Sequence, residues 1–249
     1  METYTLSVSP DFAPEYLSGW FIFNTWLQKS LETPFHLEIY DDFEAQRRDI
    51  QLDKIDLIYA NSYDAAMLVR EKGFQAVARP AHVSDETVIA VANSSNFDSV
   101  DDLVPWCRVA STHDPDVHMM GMIMLESADL DSSNVVVTSA QTYVLVAKYL
   151  LNGDADVGFF LKDSFQDLSD LIRSQMRVLV ESQIGVIHHT LLAGPKVQHL
   201  VPEMLDRLLL MQNTTKGKDV LDSMQMTGWL KMEGEDTDFM IDLIDTLME

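Results

Sequence analysis

The chain predicts an α/β fold of two lobes, each built on a mainly parallel sheet, with a hinge between them. Short apolar runs of strand length alternate with segments whose apolar residues recur every three and four positions, the rhythm of βαβ units. Two successive-strand passages break that alternation, Gln75–Arg79 to Glu86–Ala92 through "PAHVSD", and a second within "RVLVESQIGVIHHTLLAG". Two helix-free crossings far apart in sequence suit a chain that leaves one lobe, builds another and returns. The first lobe is expected to hold residues 1–83 and 184–249, the second residues 84–183. Hinge-bending lobes that enclose a ligand have this layout.

The strand-like runs are Tyr4–Val8, His36–Tyr40, Asp56–Tyr59, Ala76–Ala78, Thr87–Ala92, Arg108–Ser111, Asn134–Thr138, Val157–Leu161, Arg177–Val180 and Val186–Ala193. Helical spacing marks Pro14–Ser30, Phe43–Leu52, Tyr63–Glu71, Val117–Leu125, Thr142–Leu150 and Phe165–Ser174 between them. Beyond Pro195 the pattern is helical throughout, over Val201–Met211, Asp219–Met224 and Asp238–Leu247. No internal repeat and no Gly/Ser linker interrupts the chain.

The 249 residues give enough chain for two lobes with real cores. Forty acidic residues against 17 basic ones leave a formal charge of −23. That balance argues against nucleic acid and against an anionic membrane surface, both of which need clustered Lys and Arg. The one cysteine, Cys107, rules out an intrachain disulfide and any CxxC site. No apolar run reaches the ~18 residues that span a bilayer, so no membrane insertion is expected. "METYTLSVSPDF" lacks the basic and apolar regions of a signal peptide. The chain as written is therefore either cytoplasmic or a mature form carrying an added Met1, and the compartment stays open.

The sequence resembles the phosphate/phosphonate-type substrate-binding proteins of ABC transporters, which share the type 2 periplasmic-binding-protein fold. The resemblance rests on "SPDFAPEYLSGWFIFNTWLQKSL", "KIDLIYANSYDAAMLVREKGFQAVARP", "FDSVDDLVPWCRVAS", "LLNGDADVGFFLKDSF" and "MTGWLKMEGEDTDFMIDLI", in that order. It implies capture of a small oxyanion or phosphonate-like solute between two lobes, without catalysis or cofactor, for delivery to an ABC permease or a sensor kinase. A regulatory module that keeps the fold and reads out to a partner protein is the alternative.

Ligand residues are expected where parallel strands end and helices begin, because free N–H groups and the helix dipole favour anions there. Ser9, Asp11, Asn61, Ser62 and Tyr63 occupy such ends in the first lobe, and Thr112, His113, Ser139, Gln141, Thr142 and Tyr143 in the second. The resemblance adds Tyr59 and Tyr63 as residues facing the ligand. Helix capping accounts equally for Asn61 or Ser62. In the second lobe "STHDPDVHMMGM" departs from the hydroxyl-rich turn of the family, with His113, Asp114 and Asp116 in its place, and "TSAQTYVLV" stands where the family has a His. If Asp11 and Asp114 both face the cleft, a bare phosphate is rejected and the ligand carries a positive group or arrives with a cation.

His113, Asp114, Asp116, His118, His188 and His189 supply metal-ligand chemistry, but their spacing fits no zinc signature, so no metal site is expected. No nucleophile elbow, P-loop or zincin motif occurs, and Cys107 reads as a small core residue. Trp20, Phe21, Phe23 and Trp26 exceed one helix face, which leaves some of them for a partner surface.

Overall fold

A computed structural model describes residues 3–11 and 16–248 of the chain. The chain divides into two compact units, Met1–Val83 with His188–Asp245, and Ser84–Ile187 with Thr246–Glu249.

The first unit is a six-stranded sheet in the order β11-β4-β10-β3-β1-β2. Its strands are β1 (Tyr4–Val8), β2 (Phe35–Glu38), β3 (Leu57–Ala60), β4 (Gln75–Pro80), β10 (Thr190–Ala193) and β11 (Trp229–Lys231). β1 is parallel to β2 and β3, whereas β10 is antiparallel to both β3 and β4. Four strands thus share one direction, and the two that arrive late in sequence oppose them. The connecting helices are α1 (Leu17–Leu31), α2 (Phe43–Gln51) and α3 (Ser62–Lys72), followed in the returning chain by α8 (Val201–Leu210), α9 (Thr215–Ser223) and α10 (Gly234–Met248). Pro14, where the first helix was expected to begin, lies outside the described residues. Trp20, Phe23 and Leu27 of α1 bury against Leu6, Val8 and Trp229, with the Phe23 and Trp229 rings 5.8 Å apart. Burying side chains of this size contributes about 1.5–3 kcal/mol each.

The second unit is a five-stranded sheet in the order β7-β6-β8-β5-β9. Its strands are β5 (Thr87–Ala92), β6 (Arg108–Ser111), β7 (Val136–Ser139), β8 (Val157–Leu161) and β9 (Met176–Glu181). Four of them run one way and β5 opposes its neighbours β8 and β9. The two-residue period of a strand divides its core cleanly. Val88, Ala90 and Phe160 join Val146 and Leu150 of α5 (Tyr143–Asn152) on one face. Ile89, Val91, Val157 and Phe159 join Val117 and Leu125 of α4 (Pro115–Leu125) on the other. Gly121 of α4 sits flat on the Phe159 ring, leaving no room for a Cβ. Met119 and Met120 of the same helix are buried, and Cys107 is a buried core thiol whose pKa burial pushes up.

The two helix-free crossings are present: β4 of the first sheet leads into β5 of the second, and β9 leads back to β10. Three local expectations need correction. Val186–Ala193 is a strand only over Thr190–Ala193, because the His188 N–H is taken by the Ser62 hydroxyl at 3.2 Å instead of a ladder partner. Phe165–Ser174 is not one helix but α6 (Lys162–Gln166) and α7 (Asp170–Arg173), the second restarted by the Ser169 cap. The region past Pro195 is not all helical, since β11 adds to the sheet edge with Trp229 opposite Pro80.

Candidate functional site

In the first unit the carboxyl ends of β1 and β3 lie beside the start of β10, because Thr190 of the antiparallel strand pairs with Ala60. Three chain segments therefore meet at one sheet edge. Ser9 is buried there; its N–H donates to the Tyr59 carbonyl at 2.8 Å and its hydroxyl accepts from Asn61 Nδ2 at 3.2 Å. Asn61 caps α3 by accepting from the Asp64 N–H at 2.8 Å, and its Nδ2 also donates to Asp64 Oδ2 at 3.1 Å. Ser62 donates to the His188 carbonyl at 3.0 Å. Asn61 and Ser62 are thus committed to capping and to anchoring the returning chain. Tyr59, expected to face a ligand, lies in the core instead: its ring is 4.7 Å from Trp20 and stacks on His189 at 5.0 Å. The reason is strand alternation, which puts Tyr59 on the face of Leu57.

The charges at this edge are paired. Asp11 Oδ1 meets His189 Nε2 at 3.0 Å. Burial alone would raise the Asp11 pKa, but the His189 charge and the bonds from His189 and Ser9 outweigh it and hold the carboxyl below its ordinary value. Asp64, almost fully buried, receives the Arg47 guanidinium in a fork, Nε to Oδ1 at 2.7 Å and Nη2 to Oδ2 at 3.0 Å. Burial pulls the Arg47 pKa down, but Asp64, Tyr63 and Asp11 together more than reverse it. The guanidinium carbon also lies 5.3 Å from the Tyr63 ring centroid, a cation–π contact. Tyr63 is half-buried at the first turn of α3. Arg47 and His189 were not among the expected site residues. Arg47 is carried by an ordinary amphipathic helix with its partner 17 positions away, and His189 enters from the start of an antiparallel strand, where a search of strand carboxyl ends does not look.

In the second unit the corresponding edge holds Ser111, Thr112 and Asp114 at the end of β6, Ser139 to Tyr143 at the end of β7, and Lys162 after β8. Asp114 caps α4, accepting from the N–H groups of Asp116 and Val117 at 3.1 and 3.2 Å, and its other oxygen accepts the Tyr143 hydroxyl at 2.9 Å. The carboxylate expected to repel an anion is therefore fully engaged. Thr142 caps α5 through the Leu145 N–H at 3.3 Å and stays exposed, as do His113, Ser139 and Gln141. Thr112 is buried and accepts a long bond from the Asp114 N–H at 3.4 Å. The Ser111 hydroxyl is buried with no hydrogen-bond partner among the described residues, a position the sequence reading passed over as strand interior. Lys162 pairs with Glu181 at 2.5 Å, and that carboxylate raises the ammonium pKa.

Beside this edge the crossing segments are clasped by Glu86. Its carboxylate accepts from the Gly185 N–H at 2.7 Å, the Ile184 N–H at 3.2 Å and the Ser84 hydroxyl at 3.3 Å, and also from the Ser182 hydroxyl. Burial opposes ionisation here, but those donors hold the Glu86 pKa below its usual range.

Among the described residues no group of three or more His, Cys, Asp or Glu side chains is arranged to hold a metal ion. His118 instead packs 6.3 Å from the Phe159 ring, and burial lowers its pKa. No helix among the described residues is long and apolar enough to cross a membrane.

The fold has solved counterparts. PhnD1 of Prochlorococcus marinus, in complex with methylphosphonate, superposes with a TM-score of 0.81 at 12% identity, over 99% of this chain and 98% of that one. XAC2383 of Xanthomonas citri, bound to chloride, gives 0.82 at 11% identity, with 99% and 98% covered. The aliphatic sulphonate binding protein SsuA of Escherichia coli gives 0.67 at 14% identity, with 100% and 87% covered. At these identities the likeness establishes the two-lobed α/β fold. No curated protein sequence matches the chain. A family model described as "ABC transporter, phosphonate, periplasmic substrate-binding protein" matches residues 6–237. Its members are substrate-binding transport proteins and not enzymes. By that match over most of its length, the chain belongs to the family of phosphonate periplasmic substrate-binding proteins of ABC transporters.

Proposed function

We propose that the chain binds a small phosphonate- or sulfonate-like anion reversibly and hands it to an ABC permease. The observation that carries this reading is that three carboxylates able to oppose an anion at the two sheet edges each have a partner. Asp11 is matched by His189, Asp64 by Arg47, and Asp114 by a helix N-terminus and the Tyr143 hydroxyl. With those three engaged, the hydroxyls and helix N–H groups nearby are the donors an anion would meet. Tyr63 and Arg47 are the proposed contacts of the first unit; Ser111, Thr112, Ser139, Thr142 and Tyr143 are those of the second. Ser9, Asp11, Asn61 and Ser62 hold the first set in place, and His113 and Gln141 are exposed flanking positions open to a ligand. The methylphosphonate carried by PhnD1 and the MOPS carried by the SsuA of Xanthomonas axonopodis are tetrahedral oxyanions of the proposed class.

The test is a thermal-shift panel of methylphosphonate, methanesulfonate, inorganic phosphate, sulfate, acetate and free amino acids. A ligand at ~100 times its dissociation constant adds about 2.7 kcal/mol of stability. A rise in the unfolding midpoint with methylphosphonate or methanesulfonate, absent with the amino acids, is the expected result. Silence across the panel overturns the transport reading.

A further inference from the structure

The outer strand of the second sheet is bare. Among the described residues β7 pairs with β6 alone and ends that sheet; all four of its residues, Val136, Val137, Thr138 and Ser139, are exposed. Such an edge offers unpaired N–H and C=O groups to any extended chain, and proteins ordinarily blunt it with Lys, Pro, an inward charge or a bulge. β7 has none of these, and its register with β6 is regular.

Beside the strand lies a loop with exposed Val104 and, at 67% exposure, Trp106. The Trp106 N–H donates to the Asn134 carbonyl at 2.6 Å and the Val136 N–H to the Cys107 carbonyl at 3.0 Å, so loop and strand are laced into one surface. Trp106 holds a left-handed backbone, φ 71°. That conformation is an outlier for a bulky residue and persists only where its surroundings impose it. Here buried Leu103 and Cys107 pin the loop on either side and leave the indole in solvent.

The segments leading into the loop and into β7 carry exposed acidic residues. Exposed Asp101 and Asp102 precede the loop, and exposed Asp129 and Asp131 precede β7, held by Asn134 bonds to the Asp129 carbonyl and the Asp131 N–H. Arg108, at the start of β6, is forked onto Asp156 and does not offset them.

We propose that this edge docks an extended, basic segment of a partner protein. The segment adds a strand beside β7, lays an apolar side chain on Trp106 and Val136, and sets Lys or Arg against the aspartates. Charge complementarity selects this occupant over a second copy, which would bring the same carboxylates face to face in a chain with 40 acidic and 17 basic residues.

The probe is a labelled seven-residue peptide alternating lysine and valine, followed by fluorescence anisotropy on the full chain. Controls are its glutamate-for-lysine counterpart and a seven-residue polylysine. The expected result is binding of the first peptide at least tenfold tighter than either control, weakened at least tenfold by Trp106→Ala and by Val136→Lys, and weakened further by salt. Both variants change exposed side chains, and circular dichroism matching the parent chain verifies that they fold. Absence of binding overturns the proposal, as does equal binding by both variants, which would mean diffuse attraction to an acidic surface. A dimer in sedimentation that Val136→Lys dissolves also overturns it, assigning the edge to a second copy.

Discussion

His189 Nε2 meets Asp11 Oδ1 at 3.0 Å while the same imidazole stacks on Tyr59 at 5.0 Å. One residue just before a returning antiparallel strand thus partners a carboxylate beyond the end of β1 and braces a core tyrosine in β3. The arrangement makes the first edge compatible with an anion and ties its charge state to the integrity of the sheet.

Asp11 sets a pH dependence. Its native pKa lies below the unfolded value, so its ionised form stabilises the fold above the unfolded pKa near ~4 and that contribution disappears as the pH falls through the lowered native value. Asp11→Asn is expected to lower stability by about 1.5–3 kcal/mol at neutral pH. The gap from the parent chain should close as pH drops below ~4. Urea midpoints measured across pH give the answer; a gap constant with pH would mean that the pair contributes only shape.

Arg47→Ala leaves Asp64 nearly fully buried without its fork. Breaking a fully buried pair costs about 3–5 kcal/mol. Arg47 is 36% exposed, so solvent takes up part of the loss and about 2–3 kcal/mol is expected. Arg47→Lys should recover less than half, because an ammonium has no planar fork. Denaturation of the three proteins side by side checks this.

Tyr63→Ala and Thr142→Ala probe one edge in each unit. Each is expected to weaken binding of the anion identified in the panel by about 1–3 kcal/mol, read by calorimetry. Thr142 also caps α5, so Thr142→Ser, which keeps the cap, should keep the affinity. Unchanged affinity in both alanine variants would place the site elsewhere.

Glu86→Ala removes the acceptor for four donors in the crossing segments. The stretch 182–187 should become the first cleaved in limited proteolysis, and Glu86→Gln, which keeps an acceptor oxygen, should be cut more slowly. Because the Glu86 pKa is lowered, the protection of the parent chain is present above the ordinary Glu value and should weaken as the pH falls below it.

Gly121→Ala places a methyl group inside the Phe159 ring. Overpacking of this kind costs about 1–3 kcal/mol. Phe159→Leu, which clears the ring from beneath α4, should reduce the penalty in the double variant, and a double-mutant cycle measures that coupling.

Much of the architecture was written in short-range pattern. Thr87–Ala92, Arg108–Ser111 and Val157–Leu161 match their strands residue for residue, because each holds a short apolar stretch without helical spacing. β11 left no such trace: three residues at a sheet edge carry too little periodicity. The site was harder for a physical reason. A helix cap and an anion contact call for the same small polar residue types at the same strand end, so Asn61 and Ser62 could be placed but not assigned. The pairing of Arg47 with Asp64 and of His189 with Asp11 depends on which strands become neighbours, and sequence spacing is silent about that.

The position of β10 has a consequence for how the chain is made. The strand lies between β3 and β4 in the middle of its sheet, yet it follows them by more than a hundred residues. As the protein emerges during synthesis, at roughly 5–20 residues per second, β3 and β4 wait for seconds without the strand that joins them. Residues 84–187 have by then all been made. The nascent first unit therefore exposes an unfinished hydrophobic edge while the second can already close on itself, which makes the early chain a natural client for holdase chaperones and sets the order in which the two units mature.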